Sequence, residues 1–392
     1  MKRLILGIAI VAAISTLLVV NCSHSSIDAS LFTVEVVDGV RHVHNHRPQR
    51  GNPPDVKLEL VGKIGELETE DEKKILYDPV DAARLPNGDI LILEGKGCRV
   101  KRFNKDHQLV SSFGQRGQGP GDFNTPYLLR LNKNKNRLYV ADRKISRFLL
   151  DGRYEEGFKP ERMSLSESSV DALYQTSGMA VLSGNRVILP NGSWMGKDPG
   201  GRALLSVYDE KGTIIRSLGV VKQYDDPKLT LQANVAYFTV DPADHLYIAF
   251  ASQNRIDEYS PDGRMIFSSD WVIPYELKNE LKAVLFKSGN MEREFLWPSV
   301  TSVTKGIYAD YKNRIWVLTY LKQPNKFGEF DKKESLSDCY EFNVFDSAGI
   351  QLFKIQFPNV RFNAISIYDD RLYLIDAGNE SCVYEYRIAD TR

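Results

Sequence analysis

A short phrase recurs six times along this 392-residue chain. Each copy is a turn followed by a run of strand-forming residues. The copies read NGDILIL from Asn87, NRLYVAD from Asn136, GNRVILP from Gly184, DHLYIAF from Asp244, NRIWVLT from Asn313 and DRLYLID from Asp370. Aligned on the first apolar residue (Ile90, Leu138, Val187, Leu246, Ile315, Leu372), they are spaced by 48, 49, 59, 69 and 57 residues. A period of about 40 to 50 residues with several strands in each unit marks a propeller or a similar array. One such unit cannot bury its own apolar face and must stack on its neighbours.

Each repeat follows one grammar. An apolar strand leads through a turn into the recurring phrase, which forms the second strand. A third strand follows, as in Arg99–Asp106, Arg147–Gly152, Leu205–Gly212, Arg255–Gly263 and Phe342–Gly349. Fourth strands are expected at Gln108–Phe113, Thr213–Leu218, Arg264–Ser268 and Ile350–Phe357. Four antiparallel strands per unit make the blade of a β-propeller. The sixth repeat has only three strands before the chain reaches Arg392. Val56–Ile64 (VKLELVGKI) precedes the first repeat and belongs to no other blade. It is therefore expected to complete the sixth blade, which closes the ring and removes two exposed sheet edges. The expected fold is all-β: a six-bladed propeller over residues 56–392.

The N-terminal part stands apart. Lys2 and Arg3 precede an apolar run from Leu4 to Val20, which reads as a secretory signal peptide over residues 1–22. An uncleaved membrane anchor is the alternative, at the lower length limit for a spanning helix. Residues 23–55 are a polar tether and a hairpin turning at Asp38-Gly39, a type I′ signal. Fifty-one basic and 51 acidic side chains cancel. Phosphate-backbone binding needs a net basic face, so nucleic acid is not an expected partner.

Two resemblances follow from these residues. Leu18-Val19-Val20-Asn21-Cys22 resembles the lipobox of bacterial lipoproteins, with Asn21 where that family has Gly, Ala or Ser. It implies lipidation of Cys22 and a membrane-anchored protein of the bacterial cell envelope. The link Phe113-Gly-Gln-Arg-Gly-Gln-Gly-Pro-Gly-Asp-Phe123 resembles the blade connection of NHL-repeat propellers, and Tyr139-Val-Ala-Asp142 and Asn254-Arg-Ile256 are similar to their core phrase. Some NHL-like propellers, amidating and streptogramin lyases among them, hold a metal with histidines at the channel. The six blades here carry only His107 and His245, so a histidine-based centre is not expected.

The candidate sites are few. Glu94, Asp142 and Asp376 end second strands and could approach the central channel. Three stretches lengthen the repeat: Asn191–Arg202 with Trp194, Pro274–Val300 with Trp297, and Lys322–Cys339. An aromatic on such an insert can anchor a ligand, or it can pin its own loop. Tyr275–Lys287 has helix-like spacing at Leu277, Leu281 and Leu285. His42, His44 and His46 alternate on the hairpin and read as exposed histidines, with metal binding as the alternative. Gly114–Gly121 lacks the Gly-Lys-Ser/Thr ending of a phosphate loop, so it reads as a tight connection. Cys98, Cys339 and Cys382 each sit near the start of a third strand. In a closed ring a Cys98–Cys382 or Cys339–Cys382 disulfide would join neighbouring blades, and free buried thiols are the alternative. No catalytic motif is present. The expected function is binding of an envelope protein, peptide or glycan by a monomer without a cofactor. A channel-mouth hydrolase or lyase, with carboxylate-bound calcium, is the alternative.

Overall fold

The computed structural model describes residues 30–50, 54–132, 134–161, 178–191, 203–288, 291–325 and 330–391. The chain forms a six-bladed β-propeller. It opens with the hairpin β1 (Phe32–Val37) and β2 (Val40–Asn45), then β3 (Val56–Ile64). Blade 1 is β4 (Pro79–Arg84), β5 (Ile90–Glu94), β6 (Arg99–Phe103) and β7 (Leu109–Phe113). Blade 2 is β8 (Leu128–Leu131), β9 (Arg137–Ala141), β10 (Ile145–Leu149) and β11 (Tyr154–Phe158). Blade 3 is β12 (Ala180–Val181), β13 (Val187–Pro190), β14 (Leu205–Tyr208) and β15 (Ile214–Leu218). A helix, α1 (Pro227–Ala233), leads into blade 4: β16 (Ala236–Val240), β17 (Leu246–Phe250), β18 (Arg255–Tyr259) and β19 (Met265–Trp271). After a hairpin of β20 (Asn279–Ser288) and β21 (Met291–Val300), blade 5 is β22 (Thr304–Ala309), β23 (Ile315–Tyr320), β24 (Tyr340–Phe345) and β25 (Gln351–Gln356). Blade 6 is β26 (Ala364–Tyr368), β27 (Arg371–Asp376) and β28 (Cys382–Asp390), with β3 as its outer strand.

The recurring phrase is the second strand of every blade. Its apolar residues form continuous runs rather than alternating, because both sides of the strand are covered. In blade 1, Leu91 and Leu93 pack on Leu129, Leu138 and Val140 of blade 2. Ile90 and Ile92 pack on Tyr373, Ile375 and Val383 of blade 6. Each fully buried aliphatic side chain contributes about 1.5 to 3 kcal/mol relative to exposure. The core is therefore a set of layers between blades, and every blade needs two neighbours.

The expected closure is present. Strand β3 runs antiparallel to β28, from Val383 opposite Ile64 to Asp390 opposite Val56, with one irregularity at Glu385/Tyr386. Asp38 and Gly39 both have positive φ, 51° and 80°, as a type I′ turn requires. The hairpin they make is not free-standing. Strand β2 lies parallel to β19 and extends blade 4 to six strands.

Tyr275–Lys287 departs from its helix-like spacing. It holds β20 rather than a helix, paired with β21 from Asn279 opposite Val300 to Ser288 opposite Met291. The spacing of four between Leu281 and Leu285 is even, so it places both on one face of a strand as readily as on one helical stripe. Val284, Phe286 and Phe295 favour the extended form. Blade 2 also has a fourth strand, β11, that the repeat grammar left out.

The two faces of the ring differ. In an antiparallel blade the second-to-third connection and the link to the next blade emerge on one face. The other two connections emerge opposite. Between the described strands, no connection on that opposite face exceeds five residues. On the first face they reach 32 residues between β19 and β22, and 19 between β23 and β24. All the long inserts thus lie on one side, called here the insert face.

Candidate functional site: the channel mouth on the insert face

Strands β4, β8, β12, β16, β22 and β26 contact one another in sequence and close into an inner ring. A cavity of about 200 Å³ opens between them, lined by Asp81, Arg130, Tyr237, Lys305, Tyr308 and Phe362 among others. Most of the lining, including Tyr127, Gly178, Tyr237, Lys305 and Phe362, lies at or just before the starts of these strands, which places the cavity on the insert face.

Asp81 organises one wall. Its Oδ1 accepts hydrogen bonds from Ala82 N (2.9 Å) and Ser366 Oγ (2.6 Å). Its Oδ2 accepts from Leu129 N (2.8 Å) and from the Arg130 guanidinium. One carboxylate therefore ties blades 1, 2 and 6. Arg130 also donates to the carbonyls of Met179 (3.1 Å) and Leu129 (2.7 Å). Burial works against its charge, but the Asp81 carboxylate outweighs burial and holds the guanidinium protonated. The Tyr368 hydroxyl donates to the Leu129 carbonyl at 3.2 Å. Burial, opposed by Arg130, pushes its pKa up to about 12.

The opposite wall has a cation without a counter-charge. Lys305 stands on β22, with its ammonium 5.7 Å from the centre of the Phe362 ring. Among the described residues no carboxylate pairs with it. Burial alone lowers its pKa from the ordinary lysine value. Burial likewise raises the hydroxyls of Tyr237 and Tyr308 above the usual tyrosine range. The mouth thus combines one neutralised ion pair, one unneutralised ammonium and protonated phenols.

The acids expected at the channel have other duties. Glu94 is fully buried; it accepts from Tyr77 N at 3.0 Å and lies 3.2 Å from Lys101 and 3.3 Å from Arg99. Asp142 accepts from Asn124 N (2.6 Å) and from Thr125 N (2.9 Å) and Oγ1 (3.2 Å). Asp376 accepts from the amides of Gly378 (3.1 Å), Asn379 (2.9 Å) and Glu380 (3.2 Å). Ending the second strand in a carboxylate satisfies the amides of a tight loop that no ladder can reach. Among the described residues, no three His, Cys, Asp or Glu gather as a metal site would require.

Trp297 is about half exposed on β21, with the Lys228 ammonium of α1 5.5 Å from its ring. Trp194, Cys22, the signal segment and most of the tether lie outside the described residues. Cys98, Cys339 and Cys382 are buried free thiols, so neither expected disulfide is formed. Their sulfurs are taken up locally: Cys98 Sγ donates to the carbonyls of Gly95 (3.4 Å) and Asn124 (3.3 Å), and Cys339 Sγ to that of Ser335 (3.2 Å). The hairpin histidines do not converge. His44 Nδ1 lies 2.7 Å from Asp270 and its Nε2 3.5 Å from Glu35, whereas His46 faces Thr33. The glycine-rich link serves the backbone: Gly114 has φ +83°, and a Cβ there would meet the Phe123 ring at 2.3 Å.

Sequence reasoning missed Asp81, Arg130 and Lys305. The available signal was a charged residue within a short, mostly apolar first strand: Asp81 in PVDAAR, Arg130 in LLRL and Lys305 in TKGIYA.

Comparison with known proteins supports the architecture. No family model and no curated protein matches the chain. A presumed exported protein from Bacteroides fragilis superposes with a TM-score of 0.53 at 14% identity, covering 89% of this chain and 99% of that one. A member of the DUF4221 family from Bacteroides vulgatus gives 0.52 at 11% identity, covering 86% and 99%. At these identities the likeness is one of fold.

Proposed function

We propose that this protein is an exported, membrane-anchored binding module whose ligand seats at the channel mouth on the insert face. The observation that carries the reading is Lys305. An ammonium held in a narrow, partly dehydrated channel without a carboxylate partner is costly to keep, and a ligand anion relieves that cost. Tyr237 and Tyr308 line the same cavity and bring neutral hydroxyls to it. The ligand class is an acidic group on an envelope protein, peptide or glycan. Gathering every long connection on the same face supports this, because binding residues concentrate on loops held by a rigid scaffold. Export and anchoring rest on the Leu4–Val20 segment and the Leu18–Cys22 phrase.

The test is thermal shift against a panel of acidic and neutral sugars and peptides. Wild type should be stabilised by an acidic member, and Lys305→Gln should lose that response. A panel with no acidic hit, or equal stabilisation of Lys305→Gln, overturns the reading. For the anchor, Cys22→Ala should move the protein from the membrane to the soluble fraction.

A further inference from the structure

A second cavity lies on blade 1. It measures about 720 Å³, within the range of small-ligand sites. Lys73, Lys96, Arg99, Lys101 and Arg116 line it, against one lining carboxylate, Glu72. The chain as a whole is neutral, so five cations around one groove are a local concentration.

The groove separates its cations into two sets. The buried Glu94 beneath it takes up Lys101 and Arg99. Gly97 makes that possible, because a Cβ there would sit 2.3 Å from Glu94 Oε2. Lys73, Lys96 and Arg116 have no carboxylate partner among the described residues. Arg116 is held in place by the Lys96 carbonyl at 3.1 Å, which leaves its other N–H groups free for a ligand. Tyr77, about half exposed, adds a flat ring to the wall. Leu109 is the only aliphatic side chain in the lining.

We infer that this groove binds an acidic polysaccharide, one bearing carboxylate or sulfate groups on sugar rings. Anions pair with the free cations, and a sugar's C–H face suits an exposed aromatic ring. A peptide ligand would draw its affinity from apolar anchors in pockets, which this lining does not supply. Tyr77 lines the groove and Asp81 the channel mouth, four residues apart in one segment. At full extension that is at most about 14 Å. One chain of a few sugar units reaches both, an extension that rests on the channel reading; the groove itself does not.

The test is isothermal titration of the intact protein with polygalacturonate, dextran sulfate, neutral dextran and poly-L-glutamate, at low and moderate salt. Wild type should bind polygalacturonate, dextran sulfate or both, more weakly as salt rises, and should ignore neutral dextran. The Lys96→Glu/Arg116→Glu protein should lose about tenfold or more in affinity with an unchanged melting temperature, both changes being on exposed side chains. Normal binding by that double variant overturns the groove. If Lys305→Gln alone loses binding, the channel reading stands and the groove falls. If the double variant alone loses it, the reverse holds. Failure to bind either acidic polysaccharide, or equal binding of poly-L-glutamate, overturns the glycan assignment.

Discussion

The imidazole of His107 stands 2.7 Å from the carboxylate of Glu385, although 278 residues separate them. The pair crosses from blade 1 to blade 6 beside the closing strand. It exists because residue 62 of that strand is glycine: a Cβ there would lie 2.6 Å from His107 Cε1. Burial opposes ionisation of Glu385, but the hydrogen bond and charge of His107, with the charge of Arg371, bring it below the usual carboxylate range.

Gly62→Ala should therefore push the imidazole away and act through Glu385. Removing one partner of a buried pair costs about 3 kcal/mol. Denaturant unfolding of Gly62→Ala, His107→Ala and the double variant should give two similar losses that do not add. Full additivity would show that Gly62 acts elsewhere. The depressed Glu385 adds stability above its unfolded value of 4.5, and that part is lost as pH falls through the folded value.

Lys305 should weaken the fold that carries it. Its pKa is lowered on folding, so the folded protein binds fewer protons than the unfolded chain below 10.5. Stability then rises with pH toward that value, and the penalty is largest where the folded lysine is still charged. Lys305→Met should melt about 2 °C higher than wild type near neutral pH, with the gap closing near pH 10.5. Calorimetry at the two pH values checks this; a lower melting temperature in the variant would refute it.

His44 gives the N-terminal hairpin a pH dependence of the opposite sign. Its hydrogen bond to Asp270 raises its pKa above 6.5, with Glu35 assisting and burial opposing. The stabilisation is complete below 6.5 and disappears as pH rises through the folded value. Protection factors in β1 and β2, with exchange corrected for its intrinsic pH dependence, should be higher in mild acid than in mild base, and His44→Gln should abolish the difference. Equal protection factors in wild type at both pH values would refute the linkage.

The cysteines should be inert. Burial pushes the Cys382 thiol up to about 11 and raises Cys339 as well. Native protein should resist alkylation at all three thiols, and reductant should leave its melting temperature unchanged. Loss of a real disulfide would cost about 2 to 5 kcal/mol and shift the transition visibly.

The ring was legible because its rule is local. Leu91 and Ile92 must both be apolar wherever a second strand lies between two blades, and that demand recurs at every copy. The closing strand was legible from counting, since Val56–Ile64 had no other blade to join. The parallel docking of β2 on β19 was not, because nothing in the Val40–Asn45 segment names the strand it will meet. The channel was hidden for a different reason. Asp81, Arg130 and Lys305 come from three separate repeats and converge only when the ring closes. Glu94, Asp142 and Asp376 drew attention by their repeated position, yet repetition reflects a scaffold need, here the capping of loop amides.

The seam between β3 and β28 also bears on the chain before it is folded. A ribosome makes β3 ahead of every blade and β28 behind all the others. At about 5 to 20 residues per second, β3 waits roughly 15 to 60 s for its partner. A bare strand of nine residues held open that long invites pairing with another chain. Lys57, Glu59 and Lys63 interrupt its apolar residues, and Lys57 and Lys63 remain exposed even in the finished blade. Their charge therefore does its work early, as a guard against aggregation during synthesis.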